Sequence, residues 1–338
     1  VSPATQFGFE HRHLPGAKLF LVLAISTAIS FVPKSACAAD SLATANADLQ
    51  AGKADEAISL LNAALKSDPN NAEANNLLCR VEYSLQQFDP AVENCQKAAN
   101  QSPQNSTYRL WLGRATGEKA SRANFMSAFG LARKTREEFE AAVKLDPHNA
   151  EALSDLGEFY KEAPGAVGGG MDKAEEIATR LNAIDPSRAH QLRAEMAEKQ
   201  KDLATAEKEF KAACTGPRAA VQWMELAAFY RRQQRWTDMD AAVKSGEAAA
   251  AHDNKAAIAF SNGAGTLARA NRNPQEAIRL FENYLASPNK TEEAPAFDVL
   301  TRLAKLKKQT GDAAGAQHDK AAALALAHDY KPAQELKF

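Results

Sequence analysis

A block of 34 residues recurs in this chain, and that recurrence dictates what can be built from it. Residues 72–105 read AEANNLLCRVEYSLQQFDPAVENCQKAANQSPQN, and the preceding block, 38–71, ends AGKADEAISLLNAALKSDPNN. Both place Ala at position 20 (Ala57, Ala91), Ala at position 27 (Ala64, Ala98) and Pro at position 32 (Pro69, Pro103). The spacing describes two antiparallel helices closed by a proline turn. One such pair cannot bury its own apolar face, so it has to stack on its neighbours. Composition agrees: the chain is 45% hydrophobic, much of it Ala, the best helix former and the side chain that lets helices approach closely.

Followed onward, the register gives about eight helix pairs over residues 39–330, with 331–338 left as a short tail. The third pair, 106–149, is ten residues longer than the standard block. Its extra segment, near Gly117–Lys134, keeps a helical pattern and sets Phe125, Met126, Phe129 and Leu131 among basic residues. The fourth pair carries a Gly-rich insertion, 163–170. The sixth fits closely at Trp223, Leu226, Ala227, Tyr230 and Trp236. The pattern resembles the tetratricopeptide repeat (TPR) family over nearly everything after the first forty residues. That resemblance implies an all-α, right-handed superhelical solenoid, about one turn for eight pairs, that works through its concave groove.

The long apolar run Leu19–Pro33 follows His11, Arg12, His13 and Lys18 and is followed by small residues, with an Ala-x-Ala site at Ala36–Ala38. Basic region, short apolar core and small-residue exit read as a secretory signal peptide over residues 1–38. A run of fifteen residues is short for a bilayer span, so no integral membrane span is expected after cleavage. Cys37 raises lipid anchoring as an alternative, weakened by Lys34. The protein is therefore expected to be exported, periplasmic or extracellular. Export makes disulfides admissible: Cys79 and Cys95, at positions 8 and 24 of one block, lie at similar distances from the turn at Gln86-Gln87 and form a candidate disulfide. The alternative is two small core residues, and Cys214 is left as a buried thiol.

Candidate chemistry is sparse. Net charge is -1, without a sustained basic stripe, which argues against a nucleic-acid partner. The histidines are scattered, with no His-x-x-x-His or Cys-x-x-Cys pair and no Gly-x-Ser-x-Gly elbow, so no metal site, cofactor or catalytic residue is expected. The glycine loop precedes a helix, where anions can bind, but no strand precedes it and Asp172 follows. An enlarged turn or a protein-contact loop accounts for it better. Groove positions implied by the family give Asn76, Arg80 and Tyr83 from the second pair, Arg114 from the third, and Glu158 and Lys161 from the fourth. With Phe125, Phe129, Gly168, Gly169 and Gly170 they are the candidate protein contacts. The family's carboxylate-gripping set is absent, since Leu42 and Asn46 open the groove. The expected function is a non-enzymatic scaffold for envelope proteins or peptides, with self-association open. The alternative is a small-molecule or glycan binder using Trp111, Tyr160, Trp223 and Trp236.

Overall fold

A computed structural model describes residues 34–337. Among them are seventeen α-helices in eight antiparallel pairs plus a short terminal helix. The pairs are α1 (Lys34–Ala51) with α2 (Ala54–Ser67), α3 (Ala72–Ser84) with α4 (Phe88–Gln101), and α5 (Ser106–Arg122) with α6 (Phe125–Leu145). Next come α7 (Ala150–Glu162) with α8 (Met171–Asn182), α9 (Pro186–Lys199) with α10 (Leu203–Ala213), and α11 (Ala219–Arg232) with α12 (Trp236–Ala251). Then follow α13 (Ile258–Arg269) with α14 (Pro274–Ala286) and α15 (Ala296–Gln309) with α16 (Ala313–Leu326), and α17 (Lys331–Gln334) ends the chain. The expected leader, through residue 33, lies outside the described residues; α1 runs through Ala36–Ala38 unbroken. Among the described residues no helix is long and apolar enough to cross a membrane.

Two local devices set the repeat. Asn71, Asn105 and Asn149 each cap the first helix of a pair, accepting from the N–H of Ala74, Tyr108 and Ala152; such a cap is worth about 1 kcal/mol. The helices of six pairs are joined by a tight turn that carries a residue at positive φ: Gly52, Gln86, Lys201, Gln234, Asn271 (followed by Asn273) and Gly311. That residue ends the first helix and sends the chain back along it. Pairs three and four lack this turn. In the third, Ala123 and Asn124 are extended and both helices run on; in the fourth, the glycine loop intervenes. Packing follows the pattern expected: Ala57, Ala91, Ala98, Ala142, Ala174 and Ala206 are fully buried where paired helices meet.

The stack closes on itself. Phe297, Ala323, Ala327, Tyr330 and Ala333 share one apolar cluster with Leu42, Leu49, Leu61, Leu77 and Leu85 of the first two pairs. Phe297 and Tyr330 meet edge to face at 4.7 Å. Polar contacts rim this joint: the Arg80 guanidinium donates to Glu292 at 2.9 Å, Gln50 donates to the same carboxylate, and His328 pairs with Asp55 at 2.8 Å. The expected free tail at 331–338 is corrected accordingly. Ala333 is fully buried, and Lys320 donates to the carbonyls of Gln334 and Leu336. In the last pair, Lys307 is held by Asp319 at 2.9 Å and Glu282 at 3.1 Å.

Cys79 and Cys95 are bonded across α3 and α4, with Cα atoms 5.3 Å apart. Non-reducing peptide mapping should recover them joined, and replacing both by Ala should cost about 3 kcal/mol in urea unfolding, the chain-entropy value for a loop of this length. Gly52 tests the closure. Its φ is +72°, and a Cβ there would sit 2.2 Å from the Ala296 backbone nitrogen across the joint. Gly311 has φ +89° but faces open space. Gly311→Ala should therefore cost only the left-handed backbone penalty, about 1 kcal/mol, and Gly52→Ala clearly more, about 2–3 kcal/mol. Equal losses in the two variants would mean that the ends do not press on one another.

Candidate functional site on the inner wall and rim

First helices of the pairs supply the inner wall of the ring. Around its second to sixth pairs lie adjoining cavities of about 430 Å³ and 500 Å³ that share Arg80, Trp111 and Glu292. Glu292 comes from the connection 287–295, and the Tyr284 hydroxyl holds that connection in place. It donates to the Ala294 carbonyl at 2.7 Å and accepts from the Thr291 N–H at 2.9 Å. Arg80 and Arg114 stack on Trp111 at 5.3 Å and 4.7 Å, while Tyr83 meets the same ring edge to face at 5.5 Å. Arg114 is in turn held by Asp155 at 2.5 Å and Glu151 at 3.2 Å. Burial pushes the Tyr83 hydroxyl up to about 12, so it stays a neutral donor.

Further round, Lys161, 7% exposed, is shared by Glu158 and Glu195, each at 2.6 Å, and Glu162 at 3.5 Å. Glu162 is also paired with Lys199 at 2.8 Å, which leaves Lys161 between Glu158 and Glu195. Burial, then repulsion from Glu195, raises Glu158 to about 7. The neighbouring Glu225 is raised to about 7 for the same two reasons, burial first. Close to it, the wall turns basic: Arg269, Arg302 and Lys305 line a cavity of about 230 Å³ floored by Phe281 and Leu306, with no carboxylate in the lining.

The sequence-expected contacts thus divide among several places. Arg80, Tyr83 and Arg114 share one cavity, although Arg80 and Arg114 are already ion-paired. Glu158 and Lys161 lie together further along the wall. Asn76 is corrected: it is 2% exposed, enclosed in the packing and closed to a partner. Phe125 and Phe129 stand on the rim, outside the groove. Gly168, Gly169 and Gly170 also lie at the rim, in an enlarged turn. Their N–H groups donate to Gly165, Pro164 and Tyr160 carbonyls, leaving none for an anion, and Gly168 at φ +97° gives room to the Arg136 guanidinium. The aromatics named for a glycan are engaged as well: the Trp111 ring is covered by two guanidiniums and the Tyr83 ring, the Tyr160 hydroxyl donates to Glu140 at 2.8 Å, and Trp223 and Trp236 pack against the core. Cys214 is buried, with its thiol pushed up to about 12 by burial. Sequence reasoning missed Glu292, Trp111 as a stacking centre, and the basic cavity; the over-long acidic connection after Pro288 was the available signal for the first.

These features define the class: an all-α helix-pair solenoid, here closed into a ring. Residues 48–115 match the tetratricopeptide repeat family, and this stretch of the chain is tetratricopeptide repeat. Parts of the chain are similar to a solved thermophilic TPR protein, TTC0263 of Thermus thermophilus, at 22% identity and a TM-score of 0.49, covering 57% of this chain and 98% of that one. They are also similar to MamA, at 26% identity and a TM-score of 0.38, covering 47% and 86%. No curated protein matches the chain.

Raised carboxylates make stability fall with rising pH. Between the ordinary carboxylate value, about 4.3, and about 7 the folded chain binds the Glu225 proton and the unfolded chain does not. Glu158 acts in the same direction. Glu225→Gln should flatten this slope in thermal melts from pH 4.5 to 7.5 and stabilise the protein at pH 7.5 by on the order of 1–3 kcal/mol. Destabilisation at pH 7.5 would show that the ionised carboxylate is needed there.

Proposed function

We propose that this chain is an exported, non-enzymatic scaffold of the cell envelope whose inner wall holds an acidic segment of a protein partner. Tetratricopeptide repeats support a protein–protein interaction scaffold in general, and the leader-like pattern of residues 1–38 supports export. One observation carries the choice of partner segment. Along most of the wall each cation has its own carboxylate: Arg80 has Glu292, Arg114 has Asp155, Lys161 has Glu158 and Glu195, and Arg232 has Glu198. At the basic cavity the pairing is looser. Arg302 is paired with Asp298 at 3.7 Å and stacks on Phe281 at 4.9 Å, but the cavity lining holds no acid. Cations near helix C-termini answer the helix dipole, which accounts for Arg269 at the end of α13. It does not account for Arg302, midway along α15, which lies where a Cβ on Gly265 would be, 2.1 Å from its Nη2. Carboxylates from a partner complete such a site with charge-assisted hydrogen bonds.

The test is in-cell crosslinking of the tagged full chain, with a photoreactive residue at Gln309 on the cavity lining. One recurrent envelope protein, crosslinked through an acidic segment and lost at least tenfold in the Arg269→Glu, Lys305→Glu variant, is the expected result. Capture unaffected by that variant would move the partner elsewhere on the ring. Confinement of the protein to the cytosol, by fractionation, would remove the export reading.

A further inference from the structure

We infer that the projecting tip of the third pair is a docking surface for an anionic lipid bilayer, with Phe125, Met126 and Phe129 entering the boundary between headgroups and acyl chains. This goes beyond the inner-wall reading and does not depend on it. At 17 and 21 residues, α5 and α6 exceed the 13 and 14 of α3 and α4. At 1.5 Å per residue they outreach the neighbouring pair by roughly 6–10 Å. Before Thr135, the first buried residue of α6, Ala128, Leu131 and Ala132 are half-buried, but Phe125, Met126 and Phe129 stay outside the core. Packing therefore does not explain their apolar character. Phe125 is 89% exposed, Met126 86% and Phe129 43%; among the described residues the only other large apolar side chain so exposed is Leu203. Concentration of three such side chains within five residues marks an interaction surface rather than scatter.

Charge selects the occupant. From Lys119 to Arg136 there is no Asp or Glu, while Lys119, Arg122, Arg133 and Lys134 surround the tip; the chain as a whole balances 41 basic against 42 acidic residues. Lys119 and Arg122 keep anchoring contacts at the base with Asp89 and Glu118. Arg133 is exposed on α6, four residues beyond Phe129. Phenylalanines at the front with Lys and Arg behind is the arrangement that lets a short segment lie in a bilayer interface and attract anionic headgroups. Shape agrees with charge. The tip is convex and stiffened by the Asn124 side chain, which accepts from the Ser127 N–H at 3.1 Å; a bilayer receives a convex wedge without a preformed pocket.

Full-chain Phe125→Trp should report this directly. Mixed with phosphatidylcholine vesicles containing phosphatidylglycerol, its emission, taken as a difference from the unsubstituted chain, should shift to the blue and be quenched by brominated acyl chains. With phosphatidylcholine alone, or in high salt, the shift should be much smaller, because the basic contribution is screened. In co-sedimentation, Phe125→Ser with Met126→Ser should lower partitioning at least tenfold, and Arg133→Glu severalfold; all three sites are exposed, and circular dichroism checks that the fold is kept. Because the apolar run at residues 19–33 is present in every variant, the differences belong to the tip. An unshifted tryptophan on vesicle-bound protein would overturn the inference. So would a blue shift that grows with protein concentration in the absence of lipid, which would assign the tip to a second copy of the chain.

Discussion

Everything in this ring depends on the joint between its first and last pairs. An open solenoid is held by nearest-neighbour interfaces alone, and each end exposes a face that must be made polar. Here Phe297, Tyr330 and Ala333 fill the face that Leu42, Leu49 and Leu85 would otherwise leave uncovered, so neither end can fray without breaking a second interface. The Arg80–Glu292 pair adds registry to that apolar seal. Glu292 reaches Arg80 only because the Tyr284 hydroxyl pins the connection that carries it. A buried ion pair of this kind contributes little net stability, since desolvation offsets attraction. Its use is to fix which part of the second pair meets the closing connection.

Closure also sets the electrostatics of the inner wall. Once the ring encloses them, charged side chains lose water on several sides, and each must find a partner or shift its proton. Arg80 and Arg114 take the first course. Glu158 and Glu225 take the second, through burial first and then repulsion from Glu195. At the basic cavity of Arg269, Arg302 and Lys305 the lining supplies no carboxylate.

Helix pairs, their order and their number were legible because they rest on local signals. Alanine at positions 20 and 27 and the proline turn recur 34 residues apart in the first two blocks and can be followed through the longer ones, and each acts within its own pair. The buried Cys79–Cys95 contact follows from the same local geometry. Closure was not legible, because it depends on small rotations accumulated over eight pairs, and no single block encodes their sum. The misplaced residues follow from that. Asn76 and Arg80 were assigned to an open groove by register, yet one is enclosed by packing and the other reaches across the ring to Glu292. By contrast the patch at Phe125 and Phe129 was legible as a patch, because an apolar cluster among basic residues, in an insertion that the repeat does not require, needs no tertiary information to stand out.

A solenoid that closes gives up the free concave surface that open arrays offer, and much of its inner wall is occupied by its own ion pairs. The other surface that the chain offers is where the repeat is broken. The breaks fall at the turns within the third and fourth pairs, the only two without the tight left-handed turn, and both face the same edge of the ring. There they touch: Arg136 of α6 donates to the Val167 carbonyl at the head of the glycine loop, so the loop braces the inner end of the long helix. The outer end of that helix carries the exposed phenylalanines. A rigid ring and one braced projection follow from a regular stack that closes and is broken at two turns; the basic cavity lies elsewhere, between the regular seventh and eighth pairs.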